Sequence, residues 1–426
     1  MSPEYTRRQF LMTSGGLAGA ALLGGGLRPI PKEGVMADTP GKHVEPLGFK
    51  EHWVWAGNGK GGFAPKPAEV QLLHSLGADH VMPFGLQCMQ NGEVLLLASA
   101  EPPGKLIPVT ALSADGGATW GEWQPVPDAP NGRPMMLTDL GGGHLTFEIA
   151  EGATASTCRF YTADYGRTWG KVAIKWDRPE EAWNVEGNAL VDRDAQGHAV
   201  RIAAIGYKSY SSAVWPQAFD GYLHWSDDGG RTWVDETKPA AWVVEMEHRG
   251  QKVRRGVSEG SLVRARNGDL VAALRVDMPP RYYLDGAQAG TDFDDSLEGL
   301  GVSLSSDNGG TWSPINLIYE AGRHHPHLHV LPNGDVLMTY IVRVDVRDGR
   351  LASYRRGCEA LVSRDHGKTW DPARRYVLDE FEYYDGAKWF SGETGHLAST
   401  LLPDGRVLTA YGKYFTRGAC LIRWQP

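Results

Sequence analysis

Short apolar runs alternate with turn residues along most of the chain. In residues 260–274, one apolar run leads into Asn267-Gly268 and a second one leaves it, which is the pattern of two antiparallel strands joined by a tight hairpin turn. Similar hairpins follow one another, with turns at Asn91-Gly92, Gly141-Gly142-Gly143, Gln196-Gly197, Asn267-Gly268, Asn333-Gly334 and Asp404-Gly405. The pattern predicts six repeated β-sheet units.

A second repeat comes after each of the first five hairpins. It has the form Ser/Thr-x-Asp-x-Gly-x-Thr-Trp and occupies residues 113–120, 162–169, 226–233, 305–312 and 363–370. In such a segment the hydroxyl and the carboxylate bond turn amides, the glycine takes a positive φ, and the tryptophan covers the turn. Successive segments lie about 50 to about 80 residues apart, the length of one four-stranded propeller blade with its loops. The sequence therefore predicts an all-β protein, a six-bladed β-propeller with five of these turns.

The sixth hairpin has no such turn after it. A propeller must close its ring, so the missing outer strand or strands of the sixth blade are expected from residues about 43–75, before the first hairpin. The apolar runs at residues 53–55 and 70–73 are available for this. Residues 38–426 are accordingly predicted to form a single propeller domain.

The first residues carry a targeting pattern. Thr6-Arg7-Arg8-Gln9-Phe10-Leu11 precedes an apolar stretch of small residues at 11–27, and Val35-Met36-Ala37 offers a cleavage site. Paired arginines before Phe-Leu resemble a twin-arginine export signal. A membrane anchor is the alternative, but about seventeen residues rich in Gly and Ala are short and weakly apolar for a span. Residues 1–37 are therefore predicted to be a signal peptide that directs a folded protein to the bacterial periplasm or the exterior.

Composition narrows the function classes. With 54 Gly, 26 Pro and 22% charged residues among 426, the chain has the composition of a turn-rich, soluble β protein. A net charge of −8 gives no basic footprint for nucleic acid. Four scattered cysteines are too few for a disulfide scaffold or a zinc module, and no cofactor motif is present. We therefore expect neither a nucleic-acid partner nor a cofactor.

Three titratable side chains occupy one register in three successive hairpins. Glu259, His325 and His396 each stand eight residues before the turn of their hairpin. Because blades are arranged radially, equal register brings these side chains to a similar height around one axis. Arg275 and Arg343, after the fourth and fifth hairpins, add cations. Converging carboxylate, imidazole and guanidinium groups predict a site for an acidic sugar.

Each candidate has a structural alternative. Glu259 could cap a turn and pair with Arg275, and His396 could be a buried imidazole without a site role. In residues 324–329, strand alternation would point His325, His327 and His329 to one face, which is a pattern for a metal site. We predict no metal there, because local spacing fixes no acidic or cysteine partner.

Five such turns on six hairpins resemble the sialidase, or BNR/Asp-box, superfamily, and the resemblance covers nearly all of the chain after the signal peptide. In that family the Asp-box turns lie on the outer rim of the propeller, which implies that their aspartates are structural. The segment from Ser258-Glu259-Gly260 to Leu274-Arg275 resembles the family segment that holds a catalytic glutamate and one arginine. The resemblance therefore implies site roles for Glu259 and Arg275.

The chain also departs from the sialidase pattern. Where sialidases have Arg-Ile-Pro in the first blade, this chain has Val81-Met82-Pro83, preceded by Asp79-His80. No aspartate lies between Glu101 and Ser113, where the acid/base loop would be, and Gly395-His396 replaces the Gly-Tyr of many relatives. Three parts of the sialidase catalytic set are thus missing or changed.

Together these observations predict an exported, sialidase-like, exo-acting glycoside hydrolase with a glycan substrate that has an acidic or terminal sugar. A polysaccharide lyase that uses His and Tyr beside an arginine-neutralised uronate is one alternative, and a carbohydrate-binding propeller without catalysis is another. The predicted catalytic residues are Glu259, His325 and His396. The predicted substrate-binding residues are Arg275, Arg343, Glu393, His80, Glu186 and Tyr384.

Overall fold

The chain folds almost entirely into antiparallel β-strands. The structure is a computed structural model that describes residues 49–74, 81–101, 105–150, 156–174, 183–208, 219–248, 250–277, 294–382, 395–413 and 418–426. Within these ranges the helices are two short 3-10 turns, Asp294–Leu297 and Pro372–Arg374. None of the helices in the described ranges has the length and apolar character that crossing a membrane requires.

Four sheets of four or five strands follow one another along the chain in a propeller-like arrangement. The first has the order β3 (Val81–Cys88), β4 (Val94–Ala100), β5 (Ile107–Ser113) and β6 (Gln124–Pro125). The second contains β7 (Arg133–Gly141), β8 (His144–Ala150), β9 (Ser156–Thr162) and β10 (Gly170–Ala173). The third contains β11 (Asn184–Val185), β12 (Leu190–Arg193), β13 (Ala199–Lys208), β14 (Asp220–Ser226) and β15 (Val234–Thr237). The fourth contains β18 (Val257–Arg264), β19 (Leu270–Val276), β20 (Gly299–Ser305) and β21 (Asn316–Tyr319).

The remaining long strands share one nine-stranded sheet. One part has the order β22 (Arg323–Val330), β23 (Val336–Val342), β26 (Arg355–Ser363) and β27 (Tyr376–Glu382). The other part has the order β1 (Lys50–Gly57), β2 (Phe63–His74), β30 (Gly418–Trp424), β29 (Val407–Lys413) and β28 (Leu397–Leu401). Two separate hairpins complete the strands: β16 (Val244–His248) with β17 (Gln251–Arg255), and β24 (Asp345–Arg347) with β25 (Arg350–Ser353).

An early strand of the chain is paired with the last one. β2 runs antiparallel to β30 from the Glu69–Arg423 pair to the His74–Gly418 pair. On its other side β2 pairs along the whole of β1, and β1 in turn meets β27 at Trp55 and Ala56. Residues 50–74 therefore stand between β27 and β30 and join these two strands into one sheet by backbone hydrogen bonds.

The repeated Ser/Thr-x-Asp turns share one hydrogen-bond scheme. In the first of them, the Ser113 hydroxyl donates to Asp115 and accepts from the Gly117 amide, with both distances at 2.8 Å. The other Asp115 oxygen accepts the Thr119 hydroxyl at 2.6 Å, and the Trp120 indole donates to the Gly117 carbonyl. The same hydroxyl-to-carboxylate and amide-to-hydroxyl bonds recur in the segments at 162–169, 226–233, 305–312 and 363–370. The carboxylates are therefore engaged within their own turns.

The hydrophobic core lies between neighbouring sheets. One cluster joins the first sheet to the β28–β30 part of the nine-stranded sheet and includes Leu96, Ala111, Leu408 and Leu421, all almost fully buried. Burial of apolar side chains on both faces of each sheet holds successive sheets side by side. In this packing β3 contacts β7 and β28, and β18 contacts β22.

Four strands, β3, β7, β18 and β22, each have a β-bulge before the hairpin turn that follows them. The hydrogen-bond register shifts between Pro83 and Gly85 in β3, and it also shifts within residues 135–138 in β7, 257–260 in β18 and 324–327 in β22. A β-bulge interrupts the strict alternation of side chains and turns the bulged residue to a new direction. Glu259 and His325 are bulged residues of this kind, and the backbone of His325 takes a φ of 55°.

Candidate functional site

Four polar side chains from four different strand segments meet beside the bulges of β18 and β22. Glu259 comes from β18 and His325 from β22, while Glu186 follows β11 directly and His396 immediately precedes β28. His325 Nε2 lies 3.9 Å from Glu186 Oε2, and Nδ1 of His396 faces the same His325 nitrogen. Glu259 lies close enough to Glu186 for its charge to act on the Glu186 carboxyl group. We call Glu186, Glu259, His325 and His396 the central cluster.

Glu259 is held by a buried arginine. Arg275 Nη1 lies 2.6 Å from Glu259 Oε1, and the other two nitrogens of the guanidinium each lie 3.0 Å from a carboxylate, Nε from Asp277 and Nη2 from Glu298. The Arg275 side chain is only 6% exposed. Because protein carboxylates surround this guanidinium, its geometry suits the positioning of Glu259 better than the binding of a substrate anion, the role that the sequence suggested.

The surroundings of Glu259 favour its ionised form. Burial alone would raise the pKa of Glu259, but the charge of Arg275 and the hydrogen bond from His324 outweigh burial and hold that pKa well below its usual value. His324 Nδ1 lies 3.3 Å from Glu259 Oε2. Both oxygens of the Glu259 carboxylate therefore have a partner, and the group is oriented from two sides.

Glu186 has the opposite electrostatic setting. Burial and the neighbouring charge of Glu259 raise the pKa of Glu186 above its usual value. The hydroxyl of Tyr207 donates to Glu186 Oε1 at 2.7 Å, while Oε2 faces His325. The carboxyl group is thus fixed in one orientation by a neighbouring strand of the same sheet.

The two histidines of the central cluster are buried, and the ring of His396 contacts both the ring of His325 and that of Phe84. Their ring centroids lie 4.2 Å apart, and the Phe84 ring lies 4.3 Å from that of His396. Burial lowers the pKa of His325 to about 4, and burial followed by the proximity of His325 lowers that of His396 well below its usual value. Neutral imidazoles result, and a neutral imidazole can accept a proton or ligate a metal.

The three-histidine face that strand alternation predicted does not form. The bulge between His324 and His327 turns His325 toward Glu186 and His396, away from the other two. His327 and His329 instead contact each other, with Nδ1 and Nε2 3.0 Å apart. They border a cavity of about 340 Å³ between the first strands, which Phe84, Asp139, Asn188 and Arg264 also line. The expectation failed because a bulge breaks the period of two.

The other predicted site residues are placed as follows. Arg343 is completely buried just after β23, where its backbone N–H donates to the Gly322 carbonyl. His80, Tyr384 and Glu393 lie outside the described residues. Their roles in substrate binding stay predictions.

Sequence reasoning missed several neighbours of the central cluster. Phe84 is a bulged residue of β3, but it stands seven residues before Asn91, so a count of eight leads to Pro83 instead. Asp277 stands two residues after Arg275, directly after β19, so its closeness in sequence to Arg275 was a weak sign that the two side chains meet. Glu298 and Arg133 carried no such sign, although the charge of Arg133 contributes to the lowered pKa of His396. Arg133 opens β7 and lies 3.8 Å from Glu101.

No family model matches the chain, and no curated protein matches it in sequence. Among solved structures, the chain is similar to the intramolecular trans-sialidase from Ruminococcus gnavus in complex with oseltamivir carboxylate, with a TM-score of 0.50 and 13% identity over 81% of this chain and 94% of that one. It is also similar to NanB in complex with Optactamide, with a TM-score of 0.50 and 12% identity over 83% of this chain and 70% of that one. These similarities show a sialidase-like propeller fold.

A third solved structure, an ulvan lyase bound to a glucuronate–sulfated rhamnose unit, has a TM-score of 0.45 and 10% identity over 80% of this chain and 93% of that one. At this level the similarity carries no conclusion about chemistry. Function has to be argued from the side chains of the site.

Proposed function

We propose that the protein is an exported glycan-active enzyme, an exo-acting glycoside hydrolase that works at the central cluster. The observation that carries the proposal is the convergence of Glu259, His325 and His396 from three strand segments in a sialidase-like fold. A buried carboxylate next to neutral imidazoles is a group able to move protons at a glycosidic bond.

Within this proposal the chain is a six-bladed propeller with five Asp-box turns on its outer rim. The four sheets of four or five strands account for four blades. The nine-stranded sheet supports two more if it is divided where β1 meets β27 at only two residue pairs. The long pairing of β2 with β30 supports closure of the sixth blade by residues about 43–75.

The residues of the site divide into three roles. Glu259 supplies the ionised carboxylate, oriented by Arg275 and His324. His396, in contact with His325, supplies the imidazole that takes a proton from the attacking group. Arg133 is the cation that we assign to an acidic substituent of the sugar, since its side chain is 19% exposed whereas that of Arg275 is 6% exposed.

The test is an activity screen of the purified protein on α-linked sialosides, neutral exo-glycosides and uronate polymers, with the Glu259→Gln variant in parallel. Release of a terminal sugar by the parent protein, lost in the variant, is the expected result. Turnover that survives unchanged in the variant would remove Glu259 from the mechanism. Saturable glycan binding with no product would favour the carbohydrate-binding propeller instead.

A polysaccharide lyase is the second candidate. The neutral state of His325 and His396 favours a lyase, because such an enzyme needs an uncharged base near the ring carbon that carries the carboxylate of the uronate. The same screen separates the two reactions, since a lyase leaves an unsaturated sugar that absorbs ultraviolet light and a hydrolase does not.

Export through the twin-arginine route rests on Arg7-Arg8 and the apolar residues 11–27, which lie outside the described residues. Replacing both arginines with lysine should keep the protein in the cytoplasm of a bacterial host that has this route. An unchanged periplasmic or extracellular fraction would count against it.

A further inference from the structure

Three members of the central cluster offer metal ligands at one point. Glu186, His325 and His396 each present one ligand atom, and these atoms all lie within 4.8 Å of one another. We propose that Glu186, His325 and His396 bind a divalent transition-metal ion, with Zn²⁺ the best match to a set of two imidazoles and one carboxylate. The inference goes beyond the proposed function, because it concerns metal binding with or without a glycan.

The separations fit a single ion. Ligand atoms of a tetrahedral zinc site lie about 3.3 Å apart when the metal–ligand bonds are about 2.0–2.1 Å. His325 Nε2 and Glu186 Oε2 are 3.9 Å apart, and His396 Nδ1 faces the same His325 nitrogen. Small rotations of the three side chains would therefore bring all three atoms to bonding distance of one ion.

The groups behind the ligands orient them for this role. Tyr207 donates to Oε1 of Glu186, so Oε2 is the oxygen left to face His325. Ligating carboxylates and imidazoles are typically fixed in this way by a second set of hydrogen bonds. The Phe84 ring packs on His396 and limits its rotation. The third ligand, His325, is oriented by its bulge, which turns the side chain away from His327 and His329.

The electrostatic surroundings favour a cation. Glu259 borders the three ligands without belonging to them, because its two oxygens are bonded by Arg275 and His324. Asp277 and Glu298 share the same arginine, so among the described contacts of Arg275 three carboxyl groups surround one guanidinium. Three protein ligands would leave a fourth coordination position for water or a substrate oxygen beside Glu259.

The other histidine pair does not offer an equal site. His327 and His329 lie 3.0 Å apart, and within the described part of the chain no acidic or cysteine side chain joins them in a group of three ligands. His329→Asn is for this reason the matched control: it removes a half-buried histidine from the same strand without touching the three proposed ligands.

The test is calorimetric titration of chelator-treated protein with Zn²⁺, followed by Co²⁺ as a spectroscopic probe. One ion per chain should bind, and Zn²⁺ should raise the melting temperature. Glu186→Gln and His396→Asn should each lower the affinity at least about a hundredfold, whereas His329→Asn should keep the affinity of the parent protein. Circular dichroism of each variant establishes that it is folded.

Three results would overturn the proposal: no stoichiometric binding to the parent protein, parental affinity in a folded Glu186→Gln variant, or loss of binding in His329→Asn. If His396→Asn does not fold, Glu186→Gln decides, because it keeps the shape of the side chain and the Tyr207 contact. None of these measurements needs a glycan. A protein that binds Zn²⁺ and turns over no glycan would keep this site and lose the proposed function.

Discussion

Arg275 Nη1 lies 2.6 Å from Glu259 Oε1, and both side chains are almost entirely buried. The same guanidinium also contacts Asp277 and Glu298. Among the described contacts, one arginine therefore lies against three buried carboxyl groups, so its loss should lower the stability of the fold as well as change the site.

We expect Arg275→Met to lower the free energy of unfolding by about 3–5 kcal/mol, because removing one partner of a buried ion pair leaves its counterpart uncompensated. Chemical denaturation of the two proteins measures this difference. Arg266→Met is the control, since Arg266 is exposed and bonds only backbone carbonyls at Pro332 and Asn333 among the contacts described. Equal, small losses in both variants would show that the Arg275 network is not energetically important.

Glu259→Gln tests the site with little change of shape. Turnover of a glycan identified in the screen should fall about a hundredfold or more, as expected for a group that handles charge or a proton in the transition state. The melting temperature should change little, because the amide can still bond Arg275. Glu236→Gln, which alters an exposed carboxylate paired with Lys208, should keep full activity.

The repeated turns differ in how deeply their tryptophans are buried. Trp370 is 8% exposed and donates to the Gly367 carbonyl at 2.9 Å, whereas Trp233 is only half-buried. Trp370→Ala should therefore cost about 3–5 kcal/mol of unfolding free energy, and Trp233→Ala should cost less. Denaturation of the two variants compares them directly. A larger loss at Trp233 would mean that burial does not set the cost.

Deleting residues 49–74 should abolish soluble folding. The deletion removes β1 and β2 and leaves β30 as an unpaired edge, which invites aggregation. Soluble yield and the cooperativity of thermal unfolding measure the effect, with a chain that lacks only residues 1–37 as the control. A deletion variant that melts as cooperatively as this control would disprove ring closure by β2.

The Asp164 turn should make stability depend on acidic pH. Partial burial would raise the pKa of Asp164, but hydrogen bonds from Thr162, Thr168 and the Arg167 amide lower it to about 2, from an ordinary value near 3.8. A lowered pKa in the folded state stabilises the protein fully above the ordinary value, and this contribution is lost as pH falls toward about 2. Unfolding measured from about pH 5 to about pH 2 should therefore show decreasing stability.

The Asp164→Asn variant should be less stable near neutral pH and should lose less stability on acidification. Asp128→Asn, at an exposed position outside the repeated turns, should follow the parent protein. If Asp164→Asn and the parent lose stability in parallel, the pKa of Asp164 is not the cause.

The positions of the hairpin turns in the sequence made it possible to predict two residues of the site. Counting eight residues back from Asn267 and Asn333 leads to Glu259 and His325, and the structure has a β-bulge at both positions. The count works for these two hairpins because their bulges lie at the same distance before the turn, whereas the bulged Phe84 of β3 lies seven residues before Asn91. The orientation of His325 could not be predicted, since an alternating pattern contains no sign of a bulge.

The partners of the site residues were beyond the reach of local patterns. Glu186 meets His325 across 139 residues of sequence, and its neighbour Tyr207 lies on another strand. Glu298 reaches Arg275 from outside the hairpin that carries the arginine. Such contacts depend on how sheets pack together, and a single sequence records no trace of that packing at these positions.

The pairing of β2 with β30 has a consequence for the order of folding. A ribosome makes β2 among the earliest strands and β30 last, so residues 63–74 must wait for their partner until nearly the entire chain has been synthesised. The intervening sheets, whose strands are close neighbours in sequence, can form before that moment. Pairing of β30 with β2 then joins the strands of the nine-stranded sheet, and a chaperone that shields an exposed β2 would assist the nascent chain.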